Sequence, residues 1–401
     1  LDISDKSTTF ANSFNHKERN MKFKTIPIFL VFLCMGFGDA VGPFVSLAKE
    51  SFNLSYTMAQ LIPFVGFIMF GILSIPMGIL QDKTGKKIIL LLGLIIALLG
   101  MLIPSLLGLS TYPIFLITIM LLGAGATILQ VAGNPIMRDV SEEGKYSRNL
   151  SMAQFVKAIG SLSGPLLPAA AAYFWKGDWR IVFPVYSVCL LITLALIALL
   201  KVEKSREKKQ TATFASCFAL LKNGYVFMMV LAIFVYVGAE VCLSSGIPLF
   251  LKSAYNVDIS TVGVLGTGLF FLALTIGRFM GSVVLTWMSP KKFFIVTSVI
   301  SLLGIAGLFL GVKAVAIVSM FVIGLGFANI FPLVFSIAVD AMPERSNELS
   351  GLMITAIAGG ALIPPLMGLV ADKTSVLMGF LVPLAAILYI TFIALKNAKK
   401  A

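Results

Sequence analysis

Residues 88–109 read IILLLGLIIALLGMLIPSLLGL, an apolar stretch without one charged side chain. Wound as a helix it reaches about 30 Å, the thickness of the hydrocarbon core of a bilayer. Backbone inside hydrocarbon has no water to bond, so only helices and closed barrels can cross it. A barrel strand alternates apolar and polar residues over about ten positions. This stretch does not alternate, so it is a helix. Residues 182–200, VFPVYSVCLLITLALIALL, repeat the pattern.

The rest of the chain agrees. Of its 401 residues 58% are hydrophobic and 12% charged, against about 25% charged in a soluble domain. The expected architecture is an all-α membrane protein of twelve transmembrane helices. The spans fall near 25–48, 57–80, 88–108, 112–137, 149–173, 181–200, 224–251, 260–286, 293–312, 314–339, 348–371 and 376–395. Residues 1–24 form a disordered or vector-derived cytoplasmic leader, 201–222 a cytoplasmic linker, and 397–401 a cytoplasmic tail. The linker, opened by the charged run Lys201–Gln210, separates six spans (25–200) from six more (223–396).

A net charge of +13 invites a nucleic-acid reading, but the basic residues sit in short breaks between spans. With the N-terminus inside, most of the 31 Lys and Arg fall on the cytoplasmic side, including Lys83, Lys86, Lys87, Arg138, Lys145 and Arg148. That bias is the positive-inside rule, and it places both termini in the cytoplasm. Nucleic acid is therefore excluded as a partner, and membrane lipid takes its place. The four cysteines show no ligand spacing, the one histidine is His16, and no nucleophile–base pair is evident. An enzyme, a metal centre and a resident cofactor are not expected.

The two halves echo each other. Asp39 and Glu240 lie in the first span of each half. Asn134-Pro135 is matched by Asn329-Ile-Phe-Pro332, and Gly160 through Pro165 by Gly359-Gly360 through Pro364-Pro365. Paired helix-breaking residues at corresponding positions point to a transporter built from repeats. A carboxylate within an apolar span is costly and needs a cavity or a partner. Asp39 and Glu240 are thus candidates for coupling H⁺ or for helping to hold Na⁺ near Asp39. Lys157 lies mid-span, where its ammonium has no route to the interface. It neutralises Asp39 as a structural pair, alternates between Asp39 and a substrate or ion, or reads an anionic substrate. Gln60, Gln130, Asn134, Asn149, Gln154 and Asn329 offer the paired donors and acceptors that a polyhydroxylated solute needs. Asn149, Gln154 and Lys157 can share one helix face, and Phe37, Phe64, Tyr236, Phe331 and Phe335 can supply flat surfaces for a sugar ring. Between spans two and three, Gly78-Ile-Leu-Gln-Asp82-Lys83-Thr-Gly85-Lys86-Lys87 is a tight basic turn or a latch for one conformation. Arg278, in a weaker second copy, is expected as a latch residue.

These residues resemble the fucose–galactose–glucose:H⁺ symporter family within the major facilitator superfamily. The resemblance is carried by Gly78–Lys87, Gly38-Asp39 through Pro43, Leu129 through Pro135, Arg148 through Gln154, Tyr236 through Glu240, Asn329 through Pro332, and Gly359 through Pro365. It implies a two-bundle fold with inward- and outward-open states, set as a functional monomer in a bacterial inner membrane. It also implies import of a neutral hexose or deoxyhexose by cation symport, with Asp39 in the proton-coupling position. Fucose-type members carry a second acid where this chain has Gln130, and a sugar-binding asparagine where it has Lys157. Glucose, galactose or an N-acetyl sugar, an anionic derivative read by Lys157, uniport, and a sensor that binds without transport all stay open.

Overall fold

In the computed structural model the chain is described over residues 26–139, 146–175, 178–200, 214–257, 268–342 and 345–398. The leader to residue 24, the linker to residue 213, including Lys201–Gln210, and the last three residues lie outside these ranges. The first span divides into α1 (Ile26–Asp39) and α2 (Val41–Ser51), bent by 43°. There follow α3 (Leu61–Thr84), α4 (Lys86–Leu107), α5 (Tyr112–Asp139), α6 (Tyr146–Trp175) and α7 (Val182–Leu199). The second half contains α8 (Gly224–Tyr255), α9 (Gly268–Val284), α10 (Pro290–Leu308), α11 (Lys313–Phe327) and α12 (Ile330–Ala341). It ends with α13 (Ser346–Thr355), α14 (Gly359–Lys373) and α15 (Leu381–Ala398).

Among the described residues nine helical segments are long and apolar enough to cross a bilayer, ten with the bent first pair. The expected fifth and eighth spans fall short for identifiable reasons. Helix α6 dilutes its apolar surface with Asn149, Gln154, Lys157 and several serines, while α9 is described over only 17 residues. Large apolar side chains such as Leu107 (78% exposed) and Leu199 (80% exposed) point outward from these helices. Water does not tolerate so much exposed apolar surface, and lipid does.

Two apolar cores are present. One is built from residues between Ile28 and Ile197. The other is built chiefly from residues between Leu220 and Ala394, and takes in Phe67, Phe70, Ala126, Val131 and Ala158. The halves meet where α6 lies against α9, α8 against α2, and α14 against α3.

Lipid provides no hydrophobic drive between helices, so close packing of small residues substitutes for it. A Cβ added to Gly36 would sit 2.1 Å from the Lys157 carbonyl oxygen, and one on Gly160 would sit 2.2 Å from the Leu33 carbonyl oxygen. Helices α1 and α6 therefore touch backbone to backbone. The matching contact in the second half is Gly359 against the Phe234 carbonyl.

Prolines set the breaks. Pro43 and Pro332 lack the N–H that would bond the carbonyls of Asp39 and Ala328, four residues earlier. The first span bends at Ala40, and α11 gives way to α12 at Ala328–Asn329. Replacing Gly160 by valine forces two backbones apart, with a cost of about 1–3 kcal/mol or more. The expected outcome is a melting temperature several degrees lower for the detergent-solubilised protein, measured by tryptophan fluorescence, with Gly78→Val, where a Cβ meets nothing within 4 Å, as the silent control.

Candidate functional site

The close approach of α1 and α6 brings two charges together. Lys157 Nζ lies 3.0 Å from Asp39 Oδ2, and Ser161, one turn further along α6, donates its hydroxyl to the same oxygen at 3.1 Å. In the second half Arg278 Nη2 lies 3.5 Å from Glu240 Oε1. Arg278 also donates from Nε to the Ala328 carbonyl at 3.3 Å and from Nη1 to the Gln154 carbonyl at 3.4 Å. The Ala328 carbonyl is available because residue 332 is proline. The bond to Gln154 crosses from one half of the chain to the other.

Both ion pairs line one cleft, together with Gln130, Gln154, Ser244 and an aromatic wall of Phe67, Phe70, Phe271 and Phe331. Charges in a partly dry wall are tolerated when each has an opposite partner at hydrogen-bond range. Both cations here have one, so the cavity lining is electrically balanced. Among the described residues no cluster of three or more His, Cys, Asp and Glu side chains is arranged to hold a metal ion.

Of the residues expected from the sequence, Asp39, Gln130, Gln154, Lys157, Glu240 and Phe331 meet in this cleft. The others lie elsewhere. Gln60 is buried and accepts from Ser245 at 3.2 Å, across the halves. Asn329 donates to the Gly277 carbonyl at 2.7 Å, where it supports the break before α12. Tyr236 is buried, with its hydroxyl on the Phe327 carbonyl at 3.0 Å and its ring stacked on Phe327. Asn134 is buried outside the lining and Asn149 is half-buried near the start of α6. Phe37 stacks on Tyr186 with centroids 3.9 Å apart.

Arg278, expected at a latch, stands in the cavity wall on Glu240 and also bonds across the halves to Gln154, because α9 turns that face toward α6 and the broken tenth span. Phe67, Phe70 and Phe271 went unnoticed in the sequence, since 32 phenylalanines leave no single one conspicuous. The turn between α3 and α4 depends on Gly85, whose φ of 93° other residues rarely adopt. Lys86 donates to the Pro135 carbonyl at 3.5 Å.

The two halves are tied at both ends of the cleft. At one end Lys252 pairs with Glu50, and the Thr57 N–H donates to Asp372 at 3.1 Å. At the other, Phe155 meets Phe279 at 5.6 Å and α13 lies against α3.

A helical membrane protein whose broken spans enclose a charged central cleft is a secondary transporter. The profile of the Major Facilitator Superfamily matches residues 28–365, and the chain belongs to that family. It is 27% identical to a glucose/galactose transporter of Brucella abortus, over 95% of this chain and 96% of that one. A putative glucose/galactose transporter of Helicobacter pylori is 29% identical over 92% and 95%. The L-fucose-proton symporter of Escherichia coli is 24% identical over 81% of each. The crystal structure of FucP in its outward conformation superposes with a TM-score of 0.70 at 20% identity, covering 93% of this chain and 99% of that one.

Replacing Lys157 by glutamine leaves the Asp39 carboxylate in the cavity wall without its cation, at a cost of about 1–3 kcal/mol. A clear fall in melting temperature is expected for Lys157→Gln, with most of it recovered in Asp39→Asn/Lys157→Gln. Equal and additive losses in that double-mutant cycle would show that the contact contributes nothing.

Proposed function

We propose that this protein imports a monosaccharide of the glucose, galactose, fucose or N-acetylhexosamine type by H⁺ or Na⁺ symport through alternating access. The observation that carries this reading is the cleft itself. It holds one acid–base pair from each half, amides for hydroxyl groups, and phenyl rings for a sugar face. The functions of the chain's relatives, glucose/galactose transport and fucose–proton symport, support the same class.

In this reading twelve helices form two pseudo-symmetric six-helix bundles, residues 25–200 and 223–396. The protein works as a monomer in a bacterial inner membrane with both termini cytoplasmic, as the distribution of Lys and Arg suggests. Contacts at residues 50, 57, 252 and 372 hold the outer end shut. The turn bearing Gly78, Asp82, Gly85 and Lys86 belongs to the inner latch, and the two sets break in alternation. Asp39 and Glu240 are the coupling candidates. Gln130, Gln154 and Lys157 are the substrate-binding candidates that share the cleft.

Because both cations are already paired with carboxylates, the lining favours a neutral sugar over an anionic one. The Asp39–Lys157 contact favours one second reading, facilitated uniport, since an internally neutralised acid needs no external cation. Purified protein in sealed liposomes should accumulate labelled glucose, galactose, fucose or N-acetylglucosamine when a proton or sodium gradient is imposed. Equilibration without accumulation under either gradient establishes uniport, and binding without counterflow removes the carrier reading altogether.

A further inference from the structure

We propose that Glu240, paired with Arg278, carries a coupling proton, and that Lys157 is the resident counterion of Asp39. The proposal rests on the symport reading and narrows it to one carboxylate and one ion. The two pairs share a cleft, but what each cation keeps when its acid is neutralised differs.

Asp39 Oδ2 takes both the Lys157 ammonium at 3.0 Å and the Ser161 hydroxyl at 3.1 Å. Lys157 is 8% exposed, and Asp39 is the acceptor that the described residues provide for it. Mid-way along α6 the ammonium cannot reach the interface. A proton on Asp39 would strand a strongly hydrated point charge in a partly dry wall.

Glu240 meets a single guanidinium nitrogen at 3.5 Å. Arg278 has two neutral acceptors in reserve, the carbonyls of Ala328 and Gln154. When Glu240 takes a proton, the guanidinium stays charged and stays bonded. Protonating Glu240 thus strands no cation, whereas protonating Asp39 would leave the Lys157 ammonium without its acceptor. The groups that face Glu240 from neighbouring elements are Asp39 on α1, Lys157 on α6 and Arg278 on α9. The remaining lining, Phe67 and Phe70 on α3, Gln130 on α5 and Phe331 on α12, does not titrate. On its own helix, one turn away, Tyr236 also faces Glu240 while donating its hydroxyl to the Phe327 carbonyl.

The bond from Arg278 to Gln154 links proton affinity to conformation. While α6 and α9 are together, Gln154 and Ala328 hold the guanidinium partly away from Glu240, and the carboxyl can keep its proton. When α6 and α9 part, the Gln154 bond is lost and the guanidinium closes on Glu240. A nearer cation favours the carboxylate, so the proton leaves. Binding and release thus follow the separation of two helices from opposite halves.

The test combines two readouts. Infrared difference spectra of the purified protein in lipid nanodiscs, acid minus alkaline, should contain a protonated-carboxyl C=O band. That band should vanish in Glu240→Gln and persist in Asp39→Asn/Lys157→Gln. In liposomes, D-[¹⁴C]galactose accumulation under a pH gradient should collapse to equilibration in Glu240→Gln, with counterflow still measurable. The double variant is read by its infrared band, which requires no transport. A band that survives Glu240→Gln and disappears in the double variant overturns the proposal, as does a wild-type protein with no such band. Absence of galactose flux in the wild type tells against galactose as the substrate instead, and the infrared assignment still decides which acid titrates.

Discussion

A charge inside a membrane protein needs an opposite charge or a donor within reach, and the architecture around Lys157 answers that requirement. Its ammonium is buried mid-helix, and Asp39 is close enough only because glycines at 36 and 160 let α1 and α6 touch at their backbones. Wider side chains there would open the gap and leave two unpaired charges in the wall. The packing of two helices and the electrostatics of the cleft are thus one constraint met by four residues.

The second half meets the same constraint differently. Arg278 draws on two backbone carbonyls, one of them freed by Pro332, as well as on Glu240. Broken helices are usually described as a source of flexibility. Here the break at Ala328–Asn329 also supplies electrostatic ligands, because a carbonyl released from a helix is an acceptor aimed at the cavity. Tyr236 uses the neighbouring carbonyl of Phe327 in the same way.

This asymmetry bears on how a carrier with a balanced cavity would move the neutral sugar proposed above. Two cations and two anions give no net attraction for a charged substrate, yet they polarise the amides of Gln130 and Gln154 beside them. Affinity is then left to hydrogen bonds and ring faces, which break without a large electrostatic penalty when the solute departs. Contacts between the halves at the ends of the cleft include the ion pair of Glu50 with Lys252 and the ring contact of Phe155 with Phe279, backed by helix packing of α6 on α9 and α14 on α3.

The membrane class was legible in residues 88–109 alone, because hydrocarbon leaves the backbone so few choices. The repeated glycines and prolines marked the broken spans, and the isolated charges Asp39, Lys157 and Glu240 were conspicuous because apolar surroundings make any charge conspicuous. Arg278 was visible as a charge but not as a cavity residue, since its position depends on how α9 faces α6. Phe67, Phe70 and Phe271 were hidden among many similar side chains. Asn134, Tyr236 and Asn329 had the right chemistry for a ligand but are buried outside the cleft lining; Tyr236 bonds to the break after Phe327, and Asn329 bonds from that break to α9. One-dimensional sequence records which groups are costly to bury. Only the packing of helices distant in the chain decides which of them face the same empty space.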